Sequence, residues 1–431
     1  MDIAARTQGH ITRRLIPFLF LLYIVAFLDR VNISYAGLEM TRELRFSNQV
    51  FGLGTGIFFI GYVLLEIPGT MLVELWSARK WIARIMISWG LIAALTGLIH
   101  TAQEFYWARF LLGVAEAGFF PGVLVYLTHW YRAEDRAKAV AMFMSAIPVS
   151  QILGSPISAG LMKLHWLGYS GWRWLLILEG LPAVVLGIVT LFYLTDRPRD
   201  APWLTREERD WITGELERER SAVTAANKNF SVLQAFLHPE VILLTVVYFL
   251  GANVQYGFTL WLPKMLQALS GYSPFVVTLL SAIPFLVTWP FMVLVGWNSD
   301  RTRERRWHIA LCLLLAAAGL LLTRMSGSIA VGLLGFSLAA MGVNGRIPPF
   351  WALPNTFLAG ASAAAVVGMI NCVGNTGGFV GPWAIGFLTD KTGSYTAGML
   401  YLIGSAVAGA GLVLLAKPRE RRGQHTAGAT D

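Results

Sequence analysis

The feature that most constrains this chain is a run of apolar residues, about twenty long, that recurs twelve times. That is the length an α-helix needs to cross the hydrocarbon core of a bilayer. The runs fall near residues 14–38, 50–73, 79–100, 104–128, 138–163, 172–195, 240–263, 275–297, 307–324, 329–357, 361–388 and 395–416. Lipid offers no water to exposed peptide groups, so each run must close its own hydrogen bonds as a helix. The ten-residue alternation of outer-membrane strands is missing, which excludes a β-barrel. With 55% of its 431 residues hydrophobic, 14% charged and a mean hydropathy of +0.57, the chain is too apolar for a soluble core of this size. An all-α membrane protein of twelve transmembrane helices is expected. The first run follows Arg13 and Arg14 as a secretory leader would, but it contains Asp29 and Arg30 and no small-residue cleavage site, so it should be retained.

The basic residues set the orientation. With the N-terminus in the cytoplasm, 24 of the 34 Lys and Arg lie on cytoplasmic segments, 7 on outer ones and 3 within the membrane. Positive loops stay inside, so both termini are predicted to be cytoplasmic. The net charge of +9 then reports topology and not nucleic-acid binding. Cys312 and Cys372 both lie within apolar runs and provide neither a disulfide framework nor metal-ligand spacing.

The longest polar segment, 196–239, divides the chain into two halves of six spans each. The expected organisation is a six-helix bundle at 1–195, a cytoplasmic linker at 196–239, a second six-helix bundle at 240–418 and a cytoplasmic tail at 419–431. Within the linker, LTREERDWITGELERER is predicted to form a solvated helix opened by a capping box of Thr205 and Glu208. The halves repeat. Glu74 is followed by Arg79, Lys80 and Trp81 at the spacing with which Asp300 is followed by Arg305, Arg306 and Trp307, an offset of 226 residues that also carries Ser155-Pro156 onto Gly381-Pro382. Parallel repeats about an axis normal to the membrane, with a binding site at midplane between them, are the architecture of major facilitator transporters.

The spans contain charges that lipid disfavours. Arg109 and Glu116, in RFLLGVAEAGFFP, are seven residues apart and share one helix face, about 10 Å from each other. Such residues face a wet cavity or partners on other helices, so this face is predicted to line a transport pathway. The alternative is an ion pair that only fixes helix packing. Asp29 and Arg30 are adjacent and point about 100° apart on a helix, so each needs its own partner. Arginine stays charged at any accessible pH and grips a carboxylate with two parallel hydrogen bonds, which suits Arg30 and Arg109 to an anion. Arg346 lies five residues before Trp351 in GVNGRIPPFWALPN, where Pro348, Pro349 and Pro354 should distort the helix and free its carbonyls. Arg346 is expected to hold a second carboxylate or a polar tail of the substrate, or else to pair with Glu66, Glu179 or a carbonyl. Asn344, Asn355, Asn371 and Asn375 could bind hydroxyls or bridge helices. Glu66 and Glu179 are expected to be braces, and Trp76, Trp81, Trp130 and Trp307 to be interfacial anchors.

Across nearly its full length the chain resembles the major facilitator superfamily, and within it the anion:cation symporter family, particularly the bacterial tartrate-like, phthalate-like and sugar-acid permeases. The resemblance rests on FLDRVNISYA, GYVLLEIP, RFLLGVAEAGFFPG, LEGLPA, SDRTRERRWH, FWALP and GNTGGFVGP. It implies that Asp29 and Glu116 take up coupling protons, and that Arg30, Tyr62, Arg109, Trp351 and Asn371 lie at or near the substrate; Arg346, Asn355 and Asn375 join them on the reading above. It also implies gate residues: Glu74 and Arg79 in the first half, Asp300, Arg301 and Arg305 in the second. The first gate departs from the family pattern, since Leu75 and Ser77 stand where an Arg and a Gly are usual. Arg346 departs too, occupying a position that is commonly small or apolar.

The function expected is proton-coupled symport of a small hydroxy-acid, sugar-acid or aromatic carboxylate across a bacterial inner membrane. Protons are the coupling ion, no other cofactor is expected, and the protein should work as a monomer. Anion exchange of the organophosphate/phosphate type and a transporter-like receptor are the alternatives. The sequence holds no HExxH, GxSxG, Walker loop or Cys/His cluster, so an enzyme is not expected.

Overall fold

A computed structural model describes residues 3–226, 238–325, 327–353 and 361–416, and all regular structure among them is helical. The first half contributes α1 (Ile3–Glu43), α2 (Asn48–Leu75), α3 (Ala78–Thr96), α4 (Ala102–Glu116), α5 (Phe119–Thr128), α6 (Ala133–Met144), α7 (Ala146–Leu161) and α8 (Gly171–Tyr193). The linker forms α9 (Arg206–Ala226). The second half contributes α10 (Pro239–Ser270), α11 (Pro274–Leu280), α12 (Ile283–Thr302), α13 (Arg306–Met325), α14 (Ile329–Gly345), α15 (Ile347–Ala352), α16 (Ala361–Gly374), α17 (Gly377–Thr392) and α18 (Tyr395–Leu414).

Among the described residues, ten helical stretches are long and apolar enough to cross a membrane. The other two predicted spans correspond to α3, whose first turns carry Arg79, Lys80 and Arg84, and to the broken pair α16–α17. Small polar side chains start several helices: Ser47 accepts from the Val50 N–H, Ser77 from Lys80 and Thr101 from Glu104. Each satisfies an N–H that has no partner inside its own helix.

Five predicted spans are interrupted. The fourth breaks after Glu116, where Gly118 adopts φ +84°, a conformation that only glycine tolerates easily. The tenth breaks at Arg346, ahead of Pro348 and Pro349, as the proline cluster predicts. Those two breaks occupy corresponding places in the two halves, and each sets an ionisable residue at the interruption. The fifth, eighth and eleventh divide at Ser145, at Ser281–Ala282 and at Asn375–Thr376.

Helices of the first half pack against one another through α3 on α8, α2 on α4 and α1 on α7 and α8. In the second half α13 packs on α14 and α18, and α10 on α17 and α18. The two bundles meet where α1, α2 and α7 face α10, α11, α12 and α17. At the end of the molecule away from the termini, this seam is tightly bonded. Asp390 accepts from the backbone N–H of Asn48 (3.1 Å) and Gln49 (2.7 Å), placing a carboxylate on the N-terminus of α2. Beside it Arg42 donates to Gln267 (2.9 Å), Lys264 to Thr41 (2.8 Å) and the Trp261 indole to the Pro382 carbonyl (3.1 Å).

The opposite, terminal face carries α9. The capping box forms as expected: the Thr205 N–H donates to Glu208 (3.0 Å) and the Glu208 N–H to the Thr205 hydroxyl (3.3 Å). The helix docks on the first bundle through Arg6 to Glu207 (2.6 Å), His10 to Glu208 (2.9 Å) and Arg136 to Glu219 (2.8 Å). One expectation fails here. Trp130 is not an interfacial anchor: it is fully buried and stacks on Trp203 at 5.2 Å between ring centres, because the linker covers it. Trp76 and Trp307 are exposed, as anchors would be.

Candidate functional site

The site begins with a close helix crossing. A Cβ on Gly113 of α4 would come within 1.9 Å of the Phe58 carbonyl oxygen, and one on Gly61 of α2 within 2.3 Å of the Phe110 carbonyl oxygen. Only glycines at both positions let α2 and α4 cross backbone to backbone, as small residues do in packed membrane helices. The crossing brings Arg109 over the face of Phe58, 5.0 Å from the ring centre. Arg30 of α1 reaches the same ring and that of Tyr62, at 5.6 and 5.3 Å. Stacking on aromatic faces is one way to hold a guanidinium in an apolar setting.

Arg30 forms an ion pair with Glu116, the last residue of α4. Arg109, 2% exposed, forms no hydrogen bond or ion pair among the described residues, and its Nε is buried without a partner. Both arginines line a tight central cleft between the bundles, with a cavity volume of about 10 Å³, room for about one water. Its other polar walls are Gln151 of α7 and Gln255, Tyr256 and Thr259 of α10. The helix reading therefore placed Arg109 and Glu116 correctly on one face, and the partner that neutralises Glu116 comes from α1.

Asp29 turns the other way. It is buried inside the first bundle, accepting from the Trp89 indole N–H (2.6 Å) and the Asn32 amide (3.2 Å). Glu179, also buried in that bundle, accepts from the Ser158 hydroxyl (2.9 Å). As the 100° argument requires, Asp29 and Arg30 have separate partners.

On the second bundle, Arg346 is 1% exposed and donates through Nη2 to the side-chain oxygen of Gln255 (2.9 Å). Its guanidinium carbon lies 6.0 Å from the Tyr248 ring centre, and its Nε has no partner. Neither Glu66 nor Glu179, considered for it from the sequence, is its partner; the oxygen it meets is the side-chain amide carbonyl of Gln255. Arg346 stands one side chain behind the cleft wall, with Gln255 between. Tyr62 and Trp351 also lie outside the wall; Trp351 packs on Tyr248 at 4.9 Å. Asn371 bridges the bundles, donating to Glu66 of α2 while the Tyr248 hydroxyl donates to it (3.3 Å). Asn375 is buried at the α16–α17 break, and Asn344 donates to the Ala340 carbonyl (2.9 Å). Asn355 lies outside the described residues.

The residues expected from the resemblance to form gates divide unequally. Asp300 pairs with Arg305 (2.6 Å), which also donates to Ser299 (2.9 Å), and Arg301 lies over Trp297 at 5.4 Å. Glu74 instead meets His129 (2.7 Å) and Arg197 (3.5 Å), and the Arg79 N–H donates to Asp196 (2.8 Å). The half with the degraded motif thus ties its loop to the end of α5 and to the linker.

Gln151, Gln255, Tyr256 and Thr259 were missed from sequence. The available signal was Gln151 in the apolar run SQILG and the amides Asn253 and Gln255 in NVQYG, which a helix-bridging role explains equally well.

Residues 19–382 match the family model described as Major Facilitator Superfamily. The chain belongs to that superfamily. Among relatives of this major facilitator protein is one named "Putative tartrate transporter" from Agrobacterium vitis, 44% identical over 96% of this chain and 92% of the relative. Another, named "Quinolone resistance transporter", is from Acinetobacter baumannii and is 37% identical over 96% and 95% of the two chains. The fold matches a bacterial homolog of the human lysosomal transporter Spinster, solved in an inward-facing and unoccupied conformation, with a TM-score of 0.73. That match covers 94% of this chain and 95% of that one at 19% identity. The protein is a multi-pass membrane transporter of the major facilitator type, and its two bundles enclose the arginine cleft.

Proposed function

We propose that this transporter imports a small organic anion, a hydroxy-acid, sugar-acid or aromatic carboxylate, together with protons by alternating access. The observation that carries the reading is Arg109: a buried guanidinium in a cleft between the bundles that forms no ion pair or hydrogen bond among the described residues. A buried charge costs several kcal/mol when unpaired, so a carboxylate arriving in the cleft gains what Arg109 lacks. Arg30 can serve either Glu116 or that carboxylate. When a proton neutralises Glu116, Arg30 is released to the substrate, and proton and anion occupancy become linked. The guanidinium charges then face a bound carboxylate and Glu116 is neutral, so fewer charges are left unpaired during reorientation. Asp29, held by Trp89 and Asn32 within the first bundle, is the second proton site in this reading. Gln255, with its oxygen engaged by Arg346, offers its amide N–H groups to hydroxyls or to a second carboxylate.

The tartrate name of an extensive relative supports a hydroxy-carboxylate. The terminal face is assigned to the cytoplasm and the bonded far face to the outside of a bacterial inner membrane, in line with the Lys and Arg distribution. The protein acts as a monomer with no cofactor beyond the proton. Proteoliposomes carrying the purified protein should accumulate labelled L-tartrate when the lumen is alkaline, and a protonophore should abolish accumulation. Equal uptake with and without the gradient, across tartrate and a panel of mono- and dicarboxylates, would sink the reading.

A further inference from the structure

Lys264 on α10 is 8% exposed, and among the described residues no carboxylate pairs with it. Its ammonium is held by the Thr41 hydroxyl (2.8 Å), itself donating to the Gly37 carbonyl (2.8 Å), and by two aromatic faces, Phe51 at 4.7 Å and Trp261 at 5.8 Å. Thr41 and Phe51 belong to the first bundle, while Lys264 and Trp261 belong to the second. The neighbouring cation Arg42 likewise crosses the seam to a neutral group, Gln267. Asp390, the acid nearest in this region, is occupied by the N–H groups of Asn48 and Gln49.

These two cations line an open far-face cavity of about 640 Å³. A closed constriction follows, walled by Ser34, Tyr35, Gln151 and Thr259, and then the arginine cleft, which shares Gln151 and Thr259 with it. Along α1 the walls descend from Thr41 through Ser34 to Arg30, and along α10 from Lys264 through Thr259 to Gln255. The cavity, the constriction and the cleft stand in file, with cations at each end.

We propose that Lys264, assisted by Arg42, is an outer recognition station for the substrate carboxylate and that its bond to Thr41 is the latch the anion displaces. The inference rests on the organic-anion reading above and on its assignment of the far face to the outside. When the bundles part on that face, Lys264 loses Thr41 and Phe51, keeps Trp261, and stands charged on the wall of the opened mouth. A carboxylate is a better partner for an ammonium than a neutral hydroxyl, because the hydrogen bond is charge-assisted on both sides. The incoming anion therefore stabilises the outward-open arrangement, and its transfer inward to Arg30 and Arg109 returns Lys264 to Thr41. A latch closed on a hydroxyl costs less to open than one closed on an acid, which explains a buried cation without a counter-ion at this seam.

The test uses the full chain in proteoliposomes with L-tartrate as the probe, comparing Lys264→Met, Lys264→Arg and Thr41→Val with wild type. At equal pH on both sides, Lys264→Met should raise KM at least tenfold from the outer face with the influx maximal rate within twofold, and flatten its dependence on ionic strength; KM from the inner face should stay within twofold while the efflux maximal rate falls in step, since a reversible carrier keeps equal ratios of maximal rate to KM in the two directions. Lys264→Arg should stay within threefold of wild type. An unchanged outer KM in Lys264→Met, or an equal rise on both faces, overturns the proposal. A second measurement needs no substrate: with Cys312 and Cys372 replaced by serine and spin labels at positions 45 and 272, both Lys264→Met and Thr41→Val should lengthen the inter-label distance. Should the wild type carry none of the anions tried, the organic-anion reading falls, and an unchanged distance in Lys264→Met then overturns the latch by itself.

Discussion

Arg30 and Glu116 form an ion pair across two helices of the first bundle, at the wall of a cleft that also holds the unpaired guanidinium of Arg109. The pair joins the N-terminal helix to the point where the fourth span breaks, so its protonation state is read where the backbone is least regular. Glu116→Gln keeps the shape and removes the charge. Uptake driven by a pH gradient should fall at least tenfold, while exchange of labelled for unlabelled anion persists; equal loss of both activities would show that Glu116 serves substrate binding or structure instead.

Arg346 touches the cleft only through Gln255. Arg346→Ala should therefore act on how Gln255 is presented, raising KM for a dicarboxylate about tenfold more than for the matching monocarboxylate, an energy of about 1.4 kcal/mol. Gln255→Ala should reproduce the bias, and the double variant should add little to either, since the two residues share one bond. Additive effects in steady-state uptake would separate their roles.

The α2–α4 crossing has no room for a side chain. Gly113→Ala places a methyl against the Phe58 carbonyl and should cost about 1–3 kcal/mol, seen as a lower melting temperature in detergent, with a higher KM because Arg109 shifts with its helix. Gly160→Ala is the control: a Cβ there meets nothing within 4 Å, so it should change stability by no more than about 0.5 kcal/mol.

The linker should detach in acid. Burial pushes the Glu208 carboxyl up, but the Thr205 N–H and hydroxyl and the charges of His10 and Arg6 outweigh it and hold Glu208 below the ordinary carboxylate value. A folded-state pKa below the unfolded one adds stability above the unfolded value, and that stability is lost as pH falls through the folded value. A nitroxide at position 214 should thus be immobile at neutral pH and gain mobility below about pH 4. In Glu208→Gln it should be mobile at neutral pH and insensitive to acid; an identical pH profile in both would show that α9 docks without this carboxyl.

The sequence by itself determined the membrane class, the helical spans, the repeat and the ionisable residues that had to be accommodated inside. Those follow from local quantities: the length of an apolar run, the spacing of charges on one helix, the placing of prolines and basic loops. It also located the break at Arg346 through its prolines, whereas the break after Glu116 emerged only in the structure. The tertiary structure alone decided which charges meet. Asp29 and Arg30 are adjacent, yet one turns into its own bundle and the other toward the cleft, because the rotation of α1 is fixed by its packing on α7 and α8. Gln151 and Gln255 became walls of the cleft, and Lys264 a cation at the seam, only once two bundles far apart in sequence were brought face to face. An amide or ammonium on a single helix carries no mark of the neighbour it will find.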